Sequence, residues 1–411
     1  MSDIWAGRPR PTLVRPLVGC GVIMHHPGPS REPGAWVASG PVKVEGAELL
    51  TVELPLVTPF RTSYATSVVE RKLLVRLGTD AGTGWGECGA PAEPLYTSEY
   101  GDAARHVLIH HLLPRMAEAG DVTPDDVATV LAPVQGHRMA KAALEMAVLD
   151  AWGRLHGRSL ASLLGSTRTA VPAGVAVGVT GSVAELLAAV GGYVDEGYRR
   201  VKLKVQPGWD VEPVAAVRGR FGPDLALQVD ANGAYARCAD AAGALAALDP
   251  FGLQLIEQPL AEDDLAGHAA LAASVTTPIC LDESVTSVAT AVLALDLGAC
   301  SDINVKPGRM GGYLEAGRLH DLALARGVPL WCGGMLETGL GRAANLALAA
   351  LPGFTLPGDL SASRRYYARD LTAPFELHDG HLLVPTGPGL GVEVDEDALA
   401  AMTVDRQTWS P

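Results

Sequence analysis

Two rhythms of apolar and polar positions divide this chain. From about Pro41 the stretch VKVEGAELLTVELPL alternates in the manner of a half-exposed strand. RKLLVRLGTDAGTGWGECGA then reads as strand, turn and strand, with Gly82 and Gly84 at the turn. Helical spacing follows in DAARHVLIHHLLPRMAEAG and in HRMAKAALEMAVLDAWGRLHG, where Ala142, Met146, Leu149 and Trp152 fall on one face. The first third thus predicts an α+β unit, an antiparallel sheet followed by helices.

From Val171 onward short apolar runs alternate with amphipathic stretches, as a parallel β/α array requires. The runs are VPAGVAVGV, RRVKLKV, LALQVDA, LQLIEQP, PICLDES, SDINVKP and VPLWCGG. Charged residues close several of them, and Lys204, Asp230, Glu257, Asp282 and Lys306 follow one another at steps of 24 to 27 residues. One strand, one helix and two loops take about this length in a β/α barrel, where roughly 250 residues serve eight units. The array predicts a single α/β barrel, because all units are needed to close it.

Side chains at the C-terminal ends of barrel strands point into a shared mouth. Successive strands therefore deliver Lys202 and Lys204, Asp230 with Asn232, Glu257, Asp282 with Glu283, and Lys306 around one ring. Salt bridges inside the barrel are the bland alternative, but barrel interiors are normally filled by branched apolar residues. Three acids and three lysines at one level favour chemistry. Oxygen donors from three adjacent strands suit a hard divalent cation such as Mg2+ or Mn2+, and no His is placed to favour zinc. The strand VKLK puts Lys202 and Lys204 on one face, and Lys306 should face Lys204 across the cavity. Near a cation and two other ammonium groups a lysine should lose proton affinity and serve as a general base. Two bases flanking one carbon can take a proton from one side and return it on the other, with the metal stabilising the resulting enolate.

Composition narrows the alternatives. The 411 residues are 48% hydrophobic and 19% charged, which is globular, and the net charge of −14 argues against nucleic acid. Six cysteines without a CxxC pair read as thiols in a reducing cytosol. No apolar run approaches a membrane span. The Pro- and Gly-rich N-terminus, residues 1–41, reads as a flexible or non-native arm rather than a signal peptide.

The motifs VKLK, VDAN, IEQPL, CLDES and NVKPGRMGG, in this order, resemble the enolase superfamily in its muconate-lactonising subgroup. SEYGDAARHVLIHHLLP, GHRMAKAALEMAVLDA, WCGGMLETGLGRAANLALAALPGFTLPGDLSAS and HLLVPTGPGLGV are similar to the N-acylamino acid racemase and o-succinylbenzoate synthase family, over about Val42 to Val394. That resemblance implies a modified (β/α)7β barrel of the TIM type over residues 166–365. It also implies an α+β capping domain over 42–165, with the segment 366–411 returning to it. Asp230, Glu257 and Asp282 are implied as ligands of Mg2+, with Mn2+ or Co2+ as substitutes. Lys204 and Lys306 are implied as the acid/base pair, and Lys202 as the cation supporting the substrate carboxylate. Asn232 matches a polar residue beside the substrate, and Gly334, Met335 and Leu336 match the lining of an acyl pocket. Phe60, Thr62 and Ser63 fall in a loop that closes over substrate, and Tyr96 in a second. The implied activity is racemisation of N-acylamino acids, with o-succinylbenzoate synthesis as the alternative. The implied partners are a small carboxylate substrate and further copies of the chain, an octamer, in the cytoplasm. Three positions depart from the family pattern, Gly233, Ala176 and Arg364, and bear on substrate preference.

Overall fold

In the computed structural model residues 40–411 are described; the expected N-terminal arm lies outside them but for its last residues. Strand β1 (Val42–Arg61) pairs antiparallel with β2 (Thr66–Thr79), which pairs with β3 (Gly82–Cys88). The alternation read from the sequence is realised at the start of β1, where Val42 and Val44 are buried and Lys43 and Glu45 exposed; it shifts at Gly46, and Leu49–Val52 are all buried. On its free edge β1 pairs with Thr403–Trp409, so the C-terminal segment returns to the first sheet.

The β2–β3 turn differs in one respect from the expectation. Gly82, with φ of 111°, supports the turn, where a positive φ favours glycine. Gly84 lies inside β3 instead. A Cβ there would run into the Ala147 carbonyl of helix Arg138–Leu155, and one at Gly86 into the Ala143 carbonyl. These two glycines let the helix backbone rest directly on the sheet.

The barrel consists of seven parallel strands in sequence order: Gly174–Val177, Arg200–Lys204, Ala226–Asp230, Ile256–Glu257, Ile279–Leu281, Asp302–Val305 and Leu330–Cys332. An eighth stave closes the ring. Leu356 and Asp359 donate N–H groups to the Leu330 and Cys332 carbonyls, while the Gly358 carbonyl accepts from Gly174 on the first strand. The expected α/β barrel with an α+β cap is therefore the observed architecture. Lys204, Asp230 and Glu257 are the last residues of their strands, and Asp282 and Lys306 directly follow theirs, which places all five at one rim. No helix among the described residues is long and apolar enough to cross a membrane.

Candidate active site

The strand ends and the capping loops enclose a cavity of about 410 Å3. Lys202, Lys204, Asp230, Asn232, Lys306, Gly334, Met335 and Leu336 line it from the barrel. Phe60, Thr62 and Tyr96 line it from the cap, so nearly all the residues picked from the sequence converge here. Glu257 and Asp282, fully buried against Lys202 and Lys306, are set back from the lining, as is Ser63, whose hydroxyl donates to the Ala231 carbonyl at 3.3 Å. That bond ties the first loop to the barrel.

The polar groups form one connected array. Lys202 Nζ lies 3.0 Å from Asp230, 2.6 Å from Glu257 and 2.5 Å from Asp359. Lys204 Nζ donates at 2.6 Å to both Asp230 and Asn232. Asn232, held at a φ of 45°, passes the chain on to Glu283 at 2.9 Å. Lys306 Nζ lies 2.8 Å from Asp282 and 3.0 Å from the Tyr96 hydroxyl, and Arg309 donates to the other Asp282 oxygen.

The expected fall in lysine proton affinity depends on a nearby cation; among the protein groups alone, burial works in that direction. The carboxylates outweigh it: Asp230, Asp359 and Glu257 raise Lys202 well above the ordinary ammonium value, and Asp282 does the same for Lys306. The acids divide. Burial opposes ionisation of Asp230 and Asp282, yet Lys202 and Lys204 hold the first below the usual range, and Lys306 and Arg309 the second. Burial and then the Asp230 charge push Glu257 up to about 8, and burial with Asp282 raises Glu283 well above its usual value.

This imbalance bears on a metal. No three acidic, His or Cys side chains among the described residues are already gathered in a metal-holding group. Ammonium groups stand between the carboxylates in this arrangement. The donor set nevertheless fits a hard cation: three buried carboxylates at consecutive strand ends, all oxygen. Glu283 Oε2, beside them, is buried without a hydrogen-bond partner. Asp230, Glu257 and Asp282 are the residues that could hold a divalent ion, in place of their present contacts with Lys202, Lys204 and Lys306.

Two contributors escaped the sequence reading. Arg309, three residues after Lys306, is buried against Asp282 and also donates to the Val285 and Asn304 carbonyls. Asp359, on the closing stave, joins Lys202 to a fully buried Arg200 at 2.6 Å. Both stood in the motifs NVKPGRMGG and GDLSAS, but a charge without a strand-end position gives no sign of facing inward. The three departures also resolve. Gly233 has a φ of 72° and donates to the Gln258 carbonyl at 2.7 Å, which makes a tight turn beside Asn232. Ala176 lines the cavity, as expected of a residue bearing on substrate. Arg364 does not: its side chain is 54% exposed and pairs with Glu196 and Glu376.

Comparison with known proteins agrees with the geometry. Residues 46–165 match the mandelate racemase/muconate lactonizing enzyme N-terminal domain, and residues 185–398 the enolase C-terminal domain-like family. An N-succinylamino acid racemase of Amycolatopsis is 60% identical over 362 residues, 88% of this chain and 98% of that protein. An o-succinylbenzoate synthase of Bacillus subtilis is 44% identical over 361 residues, 87% of this chain and 96% of its own. A crystal structure of an enolase superfamily member from Listeria innocua superposes with a TM-score of 0.85 at 40% identity, covering 90% of this chain and 99% of that one. With both parts of the fold matched and relatives aligned over almost their whole length, the chain belongs to the enolase superfamily, in the N-succinylamino acid racemase and o-succinylbenzoate synthase family of enzymes.

Proposed function

We propose that this enzyme racemises N-acylamino acids, N-succinyl or N-acetyl forms of apolar ones, by proton transfer at the α-carbon. The observation that carries this reading is the lysine pair. Lys204 and Lys306 line one cavity, and three strands lie between theirs in the barrel. Lys202 binds the substrate carboxylate. Lys204 and Lys306 alternate as acid and base on the two faces of the α-carbon. Phe60, which lies at the end of β1 and not in the expected loop, and Tyr96, in the loop after β3, cover the cavity and exclude water. Asn232 orients Lys204, and Tyr96 with Arg309 flanks Lys306. Gly334, Met335 and Leu336 receive the acyl group.

Enzymes of this superfamily use a divalent metal. For this chain we take it to be Mg2+, replaceable by Mn2+ or Co2+, with Asp230, Glu257 and Asp282 as its ligands. Such an ion stabilises the negative charge that develops on the substrate carboxylate. We further take residues 42–165 and 366–411 as the cap, residues 166–365 as the catalytic barrel, and the enzyme as a cytoplasmic homo-oligomer, an octamer by its family.

A second reading is supported by the relatives themselves. The Amycolatopsis protein is named a racemase, while those of Bacillus subtilis and Geobacillus kaustophilus are named o-succinylbenzoate synthases. The same lysines and carboxylates suit that dehydration, so one site can serve both. The deciding experiment incubates enantiopure N-acylamino acids with enzyme and Mg2+ in D2O, beside an assay for o-succinylbenzoate formation. Deuterium incorporation with loss of optical activity supports the racemase. Its absence across a panel, with dehydration intact, leaves the synthase alone.

A further inference from the structure

Two charged side chains of the capping sheet have no place in this chemistry, yet both are buried and both reach the barrel. Lys72, on β2, is 2% exposed. Its ammonium donates to Glu70 at 2.9 Å and to the Met335 carbonyl at 2.6 Å. Glu87, on β3, accepts from the Thr338 and Gly341 N–H groups at 3.1 and 2.9 Å, and from the Thr338 hydroxyl at 2.6 Å. Between these anchors runs the segment Gly334–Thr338. It is fixed further where the Tyr367 hydroxyl donates to the Leu336 carbonyl and the Met335 N–H to Glu337.

Leu336 has a φ of 54°, which a bulky side chain keeps only where its surroundings hold it. The Lys72 bond is part of that hold. Because the Met335–Leu336 peptide is planar and trans, turning its carbonyl to Lys72 aims its N–H the opposite way. That Leu336 N–H has no acceptor among the described residues, and Leu336 lines the cavity. The Glu70 carboxylate offsets the cost of burying the Lys72 ammonium, and the Met335 carbonyl is the group whose direction that buried ammonium fixes.

We propose that Lys72 is a positioning residue for acyl-group recognition, fixing the Met335–Leu336 peptide so that the Leu336 N–H is presented to the N-acyl group. The capping sheet, and not the barrel alone, then sets which acyl group is preferred. This rests on the reading of Gly334–Leu336 as the acyl pocket.

The test uses full-length Lys72→Met, with Lys72→Arg as the conservative variant and Glu70→Gln in case Lys72→Met fails to fold. Hydrogen–deuterium exchange of the peptide spanning residues 334–338 reads the brace without needing turnover. Steady-state kinetics with N-succinyl and N-acetyl forms of one amino acid read the preference. Lys72→Met is expected to speed exchange in that peptide. It should raise KM for the preferred acyl form about tenfold, with kcat changing less and the acyl preference shrinking. Lys72→Arg should recover part of both effects, and Glu70→Gln should shift both in the same direction, less far. Unchanged exchange in the folded variants overturns the brace. Faster exchange with an unaltered acyl preference overturns the specificity role. Wild-type enzyme that turns over neither substrate overturns the functional reading instead, while the exchange result still decides the brace.

Discussion

The Tyr96 hydroxyl, carried by the cap, lies 3.0 Å from the Lys306 ammonium at the end of a barrel strand, and its ring face lies 4.7 Å from the same nitrogen. One loop of the cap thereby gives one of the two lysines both a hydrogen bond and a π surface, while Lys204 is flanked by Asn232 instead. Tyr96→Phe keeps the ring and removes only the hydroxyl. We expect kcat/KM for racemisation to fall roughly tenfold, and further in Tyr96→Ala. Initial rates from each enantiomer check this, and rates equal to wild type would remove the hydroxyl from the mechanism.

Lys204→Ala and Lys306→Ala should each abolish racemisation, with losses of about a hundredfold or more. The remaining lysine should still exchange the α-proton of one enantiomer, and opposite enantiomers in the two variants. Proton NMR in D2O separates the cases. Full racemisation by either variant would exclude that lysine as a base.

Asp282→Ala should weaken metal binding and remove activity together, and chelation of the wild type should abolish turnover until Mg2+ is restored. Titration calorimetry of the variant is the check. An unchanged metal affinity refutes the ligand role.

Asp359 holds two buried cations, Arg200 at 2.6 Å and Lys202 at 2.5 Å, and Arg200 is 0% exposed. Asp359→Asn leaves Arg200 without its carboxylate and removes one of the three around Lys202. Breaking a buried pair from one side costs about 3–5 kcal/mol, and we expect a loss of stability of that order in denaturant unfolding. A variant as stable as wild type would show that the other carboxylates around Lys202 suffice.

Glu145 is buried in helix Arg138–Leu155, and burial pushes its carboxyl from the usual 4.5 up to about 7 against the N–H bonds of Leu314 and Tyr313. The folded protein thus holds this proton more tightly than the unfolded chain does. Its contribution is fully present below about pH 4.5 and is lost as pH rises through about 7, on the order of 3 kcal/mol. Glu145→Gln should flatten the fall in stability across that window. Urea unfolding of both proteins at several pH values measures it, and parallel curves would place the linkage elsewhere.

How much was legible in the sequence follows from what each residue depends on. Asp230, Glu257, Asp282 and the lysines could be read directly because strand ends recur at the fold's own period. A side chain at such an end has one direction to point. Arg309 and Asp359 have no such rule, since a charge in a βα loop or on the closing stave faces solvent or cavity according to the packing around it. Gly84 was misread for the same reason. A glycine between strands suggests a turn, and only the helix lying on β3 shows that the missing Cβ is what matters.

The sequence by itself determined the α/β barrel, the antiparallel cap and the ring of acids and lysines, because these rest on periodicities of two and of about 25 residues that local backbone geometry enforces. Only the tertiary structure decided the support of that ring. It brought carboxylates from other strands onto Lys202 and Lys306, and Tyr96 onto Lys306 across 210 residues of chain. Proton affinity depends on burial and on distances of a few ångströms between groups far apart in sequence. Those distances exist only once the chain has closed.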